Sequence, residues 1–218
     1  MLTTIDELWE AAEKEMGADE YVRQSYAPEP SSDFKRLQEG KYLGCFAKQY
    51  NEGGSAPALV WACQHERGSR HADFSVYDEN KRYLCDIEIT ALFTKPANKN
   101  PQDYEDYSPY PVMPIPCHLS APGVSLRDID HPRAGFQPYA TLKRVIETHL
   151  RDQYPPYWLV VYDNEHGITH PNLTELRQRI REVLEKRAGR NRLPANLKQV
   201  WAFDWPNYGK TTLIRVWP

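Results

Sequence analysis

The chain has 218 residues and a formal net charge of −3, with 40% hydrophobic and 26% charged residues. That composition excludes a disordered chain and provides a core for one domain with room for an appendage, at roughly 100–200 residues per domain. Its apolar runs, such as Trp158 to Tyr162, are too short for a membrane span, so no membrane partner is expected. Met1 to Met16 carry five acids where a secretory signal would start basic. Cys45, Cys63, Cys85 and Cys117 form no Cys-x-x-Cys pair, which argues against a zinc ribbon and for free thiols. Together these features point to a cytoplasmic protein.

Thr4-Ile-Asp-Glu7 reads as a capping box, followed by Ile5, Leu8, Trp9, Ala12 and Met16 at helical spacing. Residues 1–30 carry a net charge of −6 and are expected as an acidic helical appendage to a domain spanning 31–218. A second helix is expected from Asp33 to Tyr50. Gly40, Gly44 and Ala47 share one of its faces, where another element can approach closely. Strands are expected over Ala58–Cys63, Ala72–Tyr77 and Arg82–Leu92, the last two joined by a turn at Asp78-Glu-Asn-Lys81. From Phe93 to Pro138 the periodicity dissolves, and nine of the eighteen prolines fall there with Tyr104, Tyr107 and Tyr110. This stretch reads as a Pro/Tyr-rich insertion at about 94–137, which could act as a lid or stack on bases. A helix over Tyr139–Gln153, a buried strand at Trp158–Tyr162, a basic helix over Leu173–Arg187 and strands at Val200–Trp205 and Thr211–Trp217 complete the order. Strands clustered early and alternating with helices later predict an α/β fold, a mixed central sheet flanked by helices.

Residues 175–198 hold eight bases against three acids, a stretch that either meets a polyanion or forms a solvated helix face. Gly209-Lys-Thr-Thr lacks the earlier glycine of a phosphate loop, because Asp204 stands there. Cys117-His118 lies in the proline-rich stretch, a poor base for a nucleophile pair.

The chemistry concentrates in residues 72–90. Alternate side chains of a strand share a face, so Asp86, Glu88 and Thr90 point one way and Ile87, Ile89 and Ala91 the other. A hairpin closing at its turn brings Asp73 beside Asp86 and Glu88, placing two or three carboxylates at one sheet edge. Such a cluster calls for a cation or shared protons, and carboxylate oxygens suit Mg²⁺, Ca²⁺ or Mn²⁺. The competing structural reading is a salt-bridged pair with Arg70 or Arg82.

Ala72-Asp73-Phe74 opening one strand and Ile87-Glu88-Ile89-Thr90 ending the next resemble the motif of the PD-(D/E)xK nuclease superfamily, and the element order over about residues 33–163 resembles its restriction-endonuclease-like core. The resemblance implies a metal-dependent endonuclease that hydrolyses phosphodiester bonds of DNA or RNA with Mg²⁺ or Mn²⁺. It implies Asp73 and Glu88 as metal ligands, the backbone carbonyl of Ile89 as a further one, and Glu39 on the earlier helix as an additional carboxylate. Asp86 is either a third carboxylate or the partner of a neighbouring base. The motif lysine is replaced by Thr90, which supplies no positive charge, and Lys143 on the following helix is the expected substitute. Arg177, Arg181, Arg187 and Arg190 are the expected phosphate contacts. A catalytically inactive member of the fold that binds nucleic acid or a protein is the alternative, supported by Thr90; a purely structural interaction protein is a third reading. A homodimer or larger complex is open.

Overall fold

In a computed structural model, described for residues 1–15, 31–66, 69–92, 142–163, 173–190, 193–203 and 213–218, the chain is a mixed α/β protein. The capping box forms as expected: the Thr4 N–H donates to Glu7 Oε2 at 2.9 Å and the Glu7 N–H to Thr4 Oγ1 at 3.2 Å. These bonds start α1 (Ile5–Glu15) directly after a two-residue strand, β1 (Thr3–Thr4). Helix α2 (Ser32–Glu52) begins at Ser31, whose hydroxyl accepts the Phe34 N–H at 3.1 Å. The strands follow as β2 (Trp61–Gln64), β3 (Phe74–Tyr77) and β4 (Tyr83–Leu92). Then come α3 (Leu142–Thr148), β5 (Tyr157–Asp163), α4 (Leu173–Arg190), β6 (Leu197–Phe203) and β7 (Leu213–Trp217). The insertion at about 94–137, with Cys117, lies outside the described residues.

The strands form one seven-stranded sheet in chain order. Pairing is antiparallel from β1 through β4, parallel for β4–β5 and β5–β6, and antiparallel for β6–β7. Asp78 closes the β3–β4 turn by accepting the Asn80 and Arg82 N–H groups on Oδ1, and Lys81 takes a φ of 59°. On one face, Tyr42, Leu43, Phe46 and Tyr50 of α2 cover Phe74, Ile87, Val160 and Phe203. On the other, Leu142 and Ile146 of α3 and Leu176, Ile180 and Leu184 of α4 cover Leu159, Val161, Val200 and Val216.

Two expectations change. Residues 1–15 are no appendage: β1 extends the sheet from β2, Ile5 is buried in the core, and α1 lies on α2. The glycine face of α2 is what admits α1, since a Cβ placed on Gly44 would come 2.5 Å from Trp9 Cε3. The polar face of β4 is also not at a sheet edge. β4 is the central strand, with helices over both sheet faces, so Asp86, Glu88 and Thr90 are as buried as the isoleucines between them.

Candidate active site

The register places Asp73 directly across from Glu88, one step beyond the pairs Phe74–Ile87 and Ser75–Asp86. Regular β3 pairing stops there, and the Asp73 carboxylate takes its place: Asp73 Oδ2 accepts the Ile89 N–H at 2.8 Å. The N–H and C=O of a strand residue point to the same side, so the Ile89 carbonyl faces the same edge as Asp73. Glu88 is 6% exposed, and its Oε2 has no hydrogen-bond partner among the described residues. Burial, and then the adjacent Asp73 carboxylate, push the Glu88 carboxyl up to about 8, with Glu39 adding to the rise. Arg151 and the Asp73 backbone N–H act against that rise.

The group around Glu88 is completed by the segment after α3, which sequence periodicity reads as more helix. Instead α3 ends at Thr148. The Thr148 hydroxyl turns back to donate to the Arg144 and Val145 carbonyls at 3.0 and 2.9 Å, and the His149 N–H reaches Ile146 O at 3.1 Å. Tyr157 Oη then accepts the Arg151 N–H at 3.0 Å and donates to the His149 carbonyl at 3.3 Å. Asn196 Nδ2 donates to the Arg151 and Tyr154 carbonyls at 2.9 and 2.7 Å. These bonds fix a loop that carries His149 Nε2 to 3.9 Å from Glu88 Oε1 and sets Arg151 beside Glu88 and Tyr154. Burial holds the half-buried His149 imidazole below its ordinary pKa, so burial drives both members of this close pair toward their neutral forms. Tyr154, hydrogen-bonded by Arg151, is pushed up to about 12 by burial and then by Glu88 and Asp73.

Of the residues expected at the site, Asp73, Glu88 and the Ile89 backbone come together, with Thr90 two residues beyond Glu88 on the same face and 8% exposed. Glu39 is near enough to act on Glu88, and its Oε2 is 3.4 Å from Gln64 Nε2. It stands outside the immediate pair: among the described residues, the one set of three His, Cys, Asp or Glu ligand atoms lying within 4.8 Å of one another is His65, His71 and Asp86. Asp86 is not a third carboxylate of the Asp73–Glu88 pair. Its Oδ1 accepts from Ser75 Oγ at 2.6 Å and Tyr83 Oη at 3.1 Å, and its Oδ2 meets His71 Nδ1 at 3.0 Å, which makes it the partner of a base.

Lys143 stands exposed on α3, and among the described residues Arg151 is a cation whose charge acts on Glu88. Arg151 and His149 escaped sequence reasoning because they follow a helical pattern without interruption; the Pro155-Pro156 pair marks the break a few residues too late. On α4, Arg177 and Arg187 are half-exposed, with Nε atoms that lack a partner among the described residues. Arg181 Nε is bound to the Val216 carbonyl at 2.9 Å, a structural bond between α4 and β7. The side chain of Arg190 lies outside the described residues.

The donors fit a hard divalent cation. Two adjacent carboxylates and a backbone carbonyl are all oxygen, and Mg²⁺ is commonly held by one or two carboxylates while keeping several waters. The buried Glu88 Oε2, without a hydrogen-bond partner among the described residues, is a donor atom that such an ion would satisfy. No helix among the described residues is long and apolar enough to cross a membrane. Comparison with protein-family models, with curated proteins and with solved structures gives no match.

Proposed function

We propose that the chain is a metal-dependent nuclease of the PD-(D/E)xK type, with a restriction-endonuclease-like core, hydrolysing phosphodiester bonds of DNA or RNA. The observation that carries this reading is the buried Glu88 carboxyl set across from Asp73, with one oxygen that has no hydrogen-bond partner among the described residues. Burying such a group is costly unless it serves a ligand. Asp73 and Glu88, with the Ile89 carbonyl, would hold Mg²⁺ or Mn²⁺, and the bound ion would supply a polarised phosphate and a water of lowered pKa. Asp73 is oriented by the Ile89 N–H before any ion binds. His149 Nε2 lies 3.9 Å from Glu88 Oε1, its pKa held down by burial, and leaves Oε2 for the ion. The exposed Arg151 guanidinium offsets negative charge developing on the phosphate, the role the resemblance gives to a lysine and that Thr90 cannot fill. Arg177 and Arg187 on α4 contact the nucleic-acid backbone.

A second reading is favoured by Thr90: a nuclease-fold protein that binds nucleic acid, or a protein, without cutting it. Incubating the full chain with single- and double-stranded DNA and RNA, with Mg²⁺ or with chelator, separates the two. Cleavage that requires Mg²⁺ supports the nuclease; binding without cleavage supports the second reading.

A further inference from the structure

The same sheet face holds a second cluster whose chemistry differs from that of the carboxylate pair. His65 follows β2, and its N–H donates to the Asp73 carbonyl at 2.9 Å, which brings β2, the segment before β3 and β4 together at this point. His65 and His71 stack with ring centroids 4.5 Å apart and an interplanar angle of 18°. His71 Nδ1 is 3.0 Å from Asp86 Oδ2, and one ligand atom from each of His65, His71 and Asp86 lies within 4.8 Å of the others. We propose that these three residues bind a Zn²⁺-class divalent ion in a site separate from Asp73 and Glu88.

Three features support this assignment. Two imidazole nitrogens with one carboxylate suit zinc and its transition-metal neighbours, whereas Mg²⁺ prefers oxygen alone. A tetrahedral ion with bonds of about 2.0–2.1 Å sets its ligands roughly 3.3 Å apart, close to the His71–Asp86 spacing already present. Because an imidazole binds a metal in its own ring plane, the two stacked rings must also turn out of the stack for both nitrogens to face one ion, a rotation that the exposed His71 side chain can make. Second, Asp86 is oriented as ligating carboxylates are: Ser75 and Tyr83 hold Oδ1, which leaves Oδ2 on the histidine side. His65 is fixed in turn by its 2.8 Å bond to Ser75 Oγ. Third, Asp86 is fully buried, and a buried carboxylate is costly without a counter-charge. A divalent ion at Oδ2 would supply one. The His71 side chain is 46% exposed, which provides an entry path and a solvent-facing side for a water as fourth ligand.

The test uses the metal-stripped full chain, titrated with Zn²⁺ and with Co²⁺ as a coloured substitute, in excess Mg²⁺ to occupy the carboxylate pair. The expected result is one Zn²⁺ per chain, a rise in melting temperature with Zn²⁺, and the visible absorption of four-coordinate Co²⁺. His71→Ala changes an exposed side chain and keeps the fold. It should weaken Zn²⁺ binding by more than the roughly 10–100-fold seen when an outer-shell partner is lost, and His65→Gln should do the same. Glu88→Gln should leave Zn²⁺ binding in place. Absence of Zn²⁺ binding by the wild type would overturn the proposal, as would binding that is equally tight in both histidine variants. The Mg²⁺ response is read separately, so failure here leaves the nuclease reading intact and failure of that reading leaves this site intact.

Discussion

Glu88 is pushed up from the ordinary 4.5 to about 8, by burial first and by Asp73 second. An acid whose folded pKa exceeds its unfolded value contributes stability that is fully present below the unfolded pKa and is lost as pH rises through the folded one. The metal-free protein should therefore lose stability between about pH 4.5 and pH 8 on account of Glu88. Denaturant unfolding of wild type and Glu88→Gln across that window checks this: the wild type should decline more steeply as pH rises, and parallel curves would remove Glu88 from the account. Mg²⁺ should reverse the decline by holding the ionised carboxylate, raising the melting temperature of the wild type and less that of Asp73→Ala or Glu88→Ala. Arg151 is a cation whose charge acts on Glu88, so Arg151→Ala should cost roughly 100–1,000-fold in cleavage rate while leaving Mg²⁺ stabilisation nearly intact. Lys143→Ala, on an exposed helical position, should cost little. The reverse ranking in single-turnover assays would restore Lys143 to the role the resemblance gives it.

At the scale of elements, the close approach of α1 to α2 depends on Gly44, where a Cβ would strike the Trp9 ring. Gly44→Ala should destabilise the fold by about 1–3 kcal/mol in denaturant unfolding, the usual range for overpacking. The loop bearing His149, Arg151 and Tyr154 is held by Asn196, and Asn196→Ala removes two bonds at about 0.5–1.5 kcal/mol each. That variant should stay folded but bind Mg²⁺ and cleave less well; unchanged kinetics would show that the loop needs no such anchor. The capping box, the glycine face and the β3–β4 turn were legible because each is a local pattern with a fixed spacing. The pairing of Asp73 with Glu88 followed from the motif resemblance and not from the turn, which alone would set Asp73 opposite Asp86; the register shift between Val76 and Tyr77 helps move it to Glu88. The early end of α3 was not legible, because it depends on Tyr157 and Asn196, which lie outside the helix itself. The joining of β1 to the sheet was hidden too, because a two-residue strand carries no periodicity.

Across the whole molecule, Asp73 and Glu88 lie on the sheet face covered by α3 and α4, and α4 also presents the arginines. If Arg177 and Arg187 each neutralise a backbone phosphate, replacing either by Ala should weaken DNA or RNA binding and reduce the slope of log affinity against log salt by about 1. Arg181 differs: its bond to Val216 ties α4 to β7, so Arg181→Ala should lower stability as well. The alternation of polar and apolar residues on β4 suggested one wet face, but that inference fails for a strand with helices over both of its faces. The central claim is that the buried Asp73–Glu88 pair holds the metal for phosphodiester cleavage. Its most direct test is the single-turnover rate of Mg²⁺-dependent cleavage for wild type and for Glu88→Gln, each shown folded by circular dichroism. The expected result is cleavage by the wild type and at least a roughly 100-fold loss in Glu88→Gln; equal rates, or no Mg²⁺-dependent cleavage of any DNA or RNA by the wild type, would contradict it.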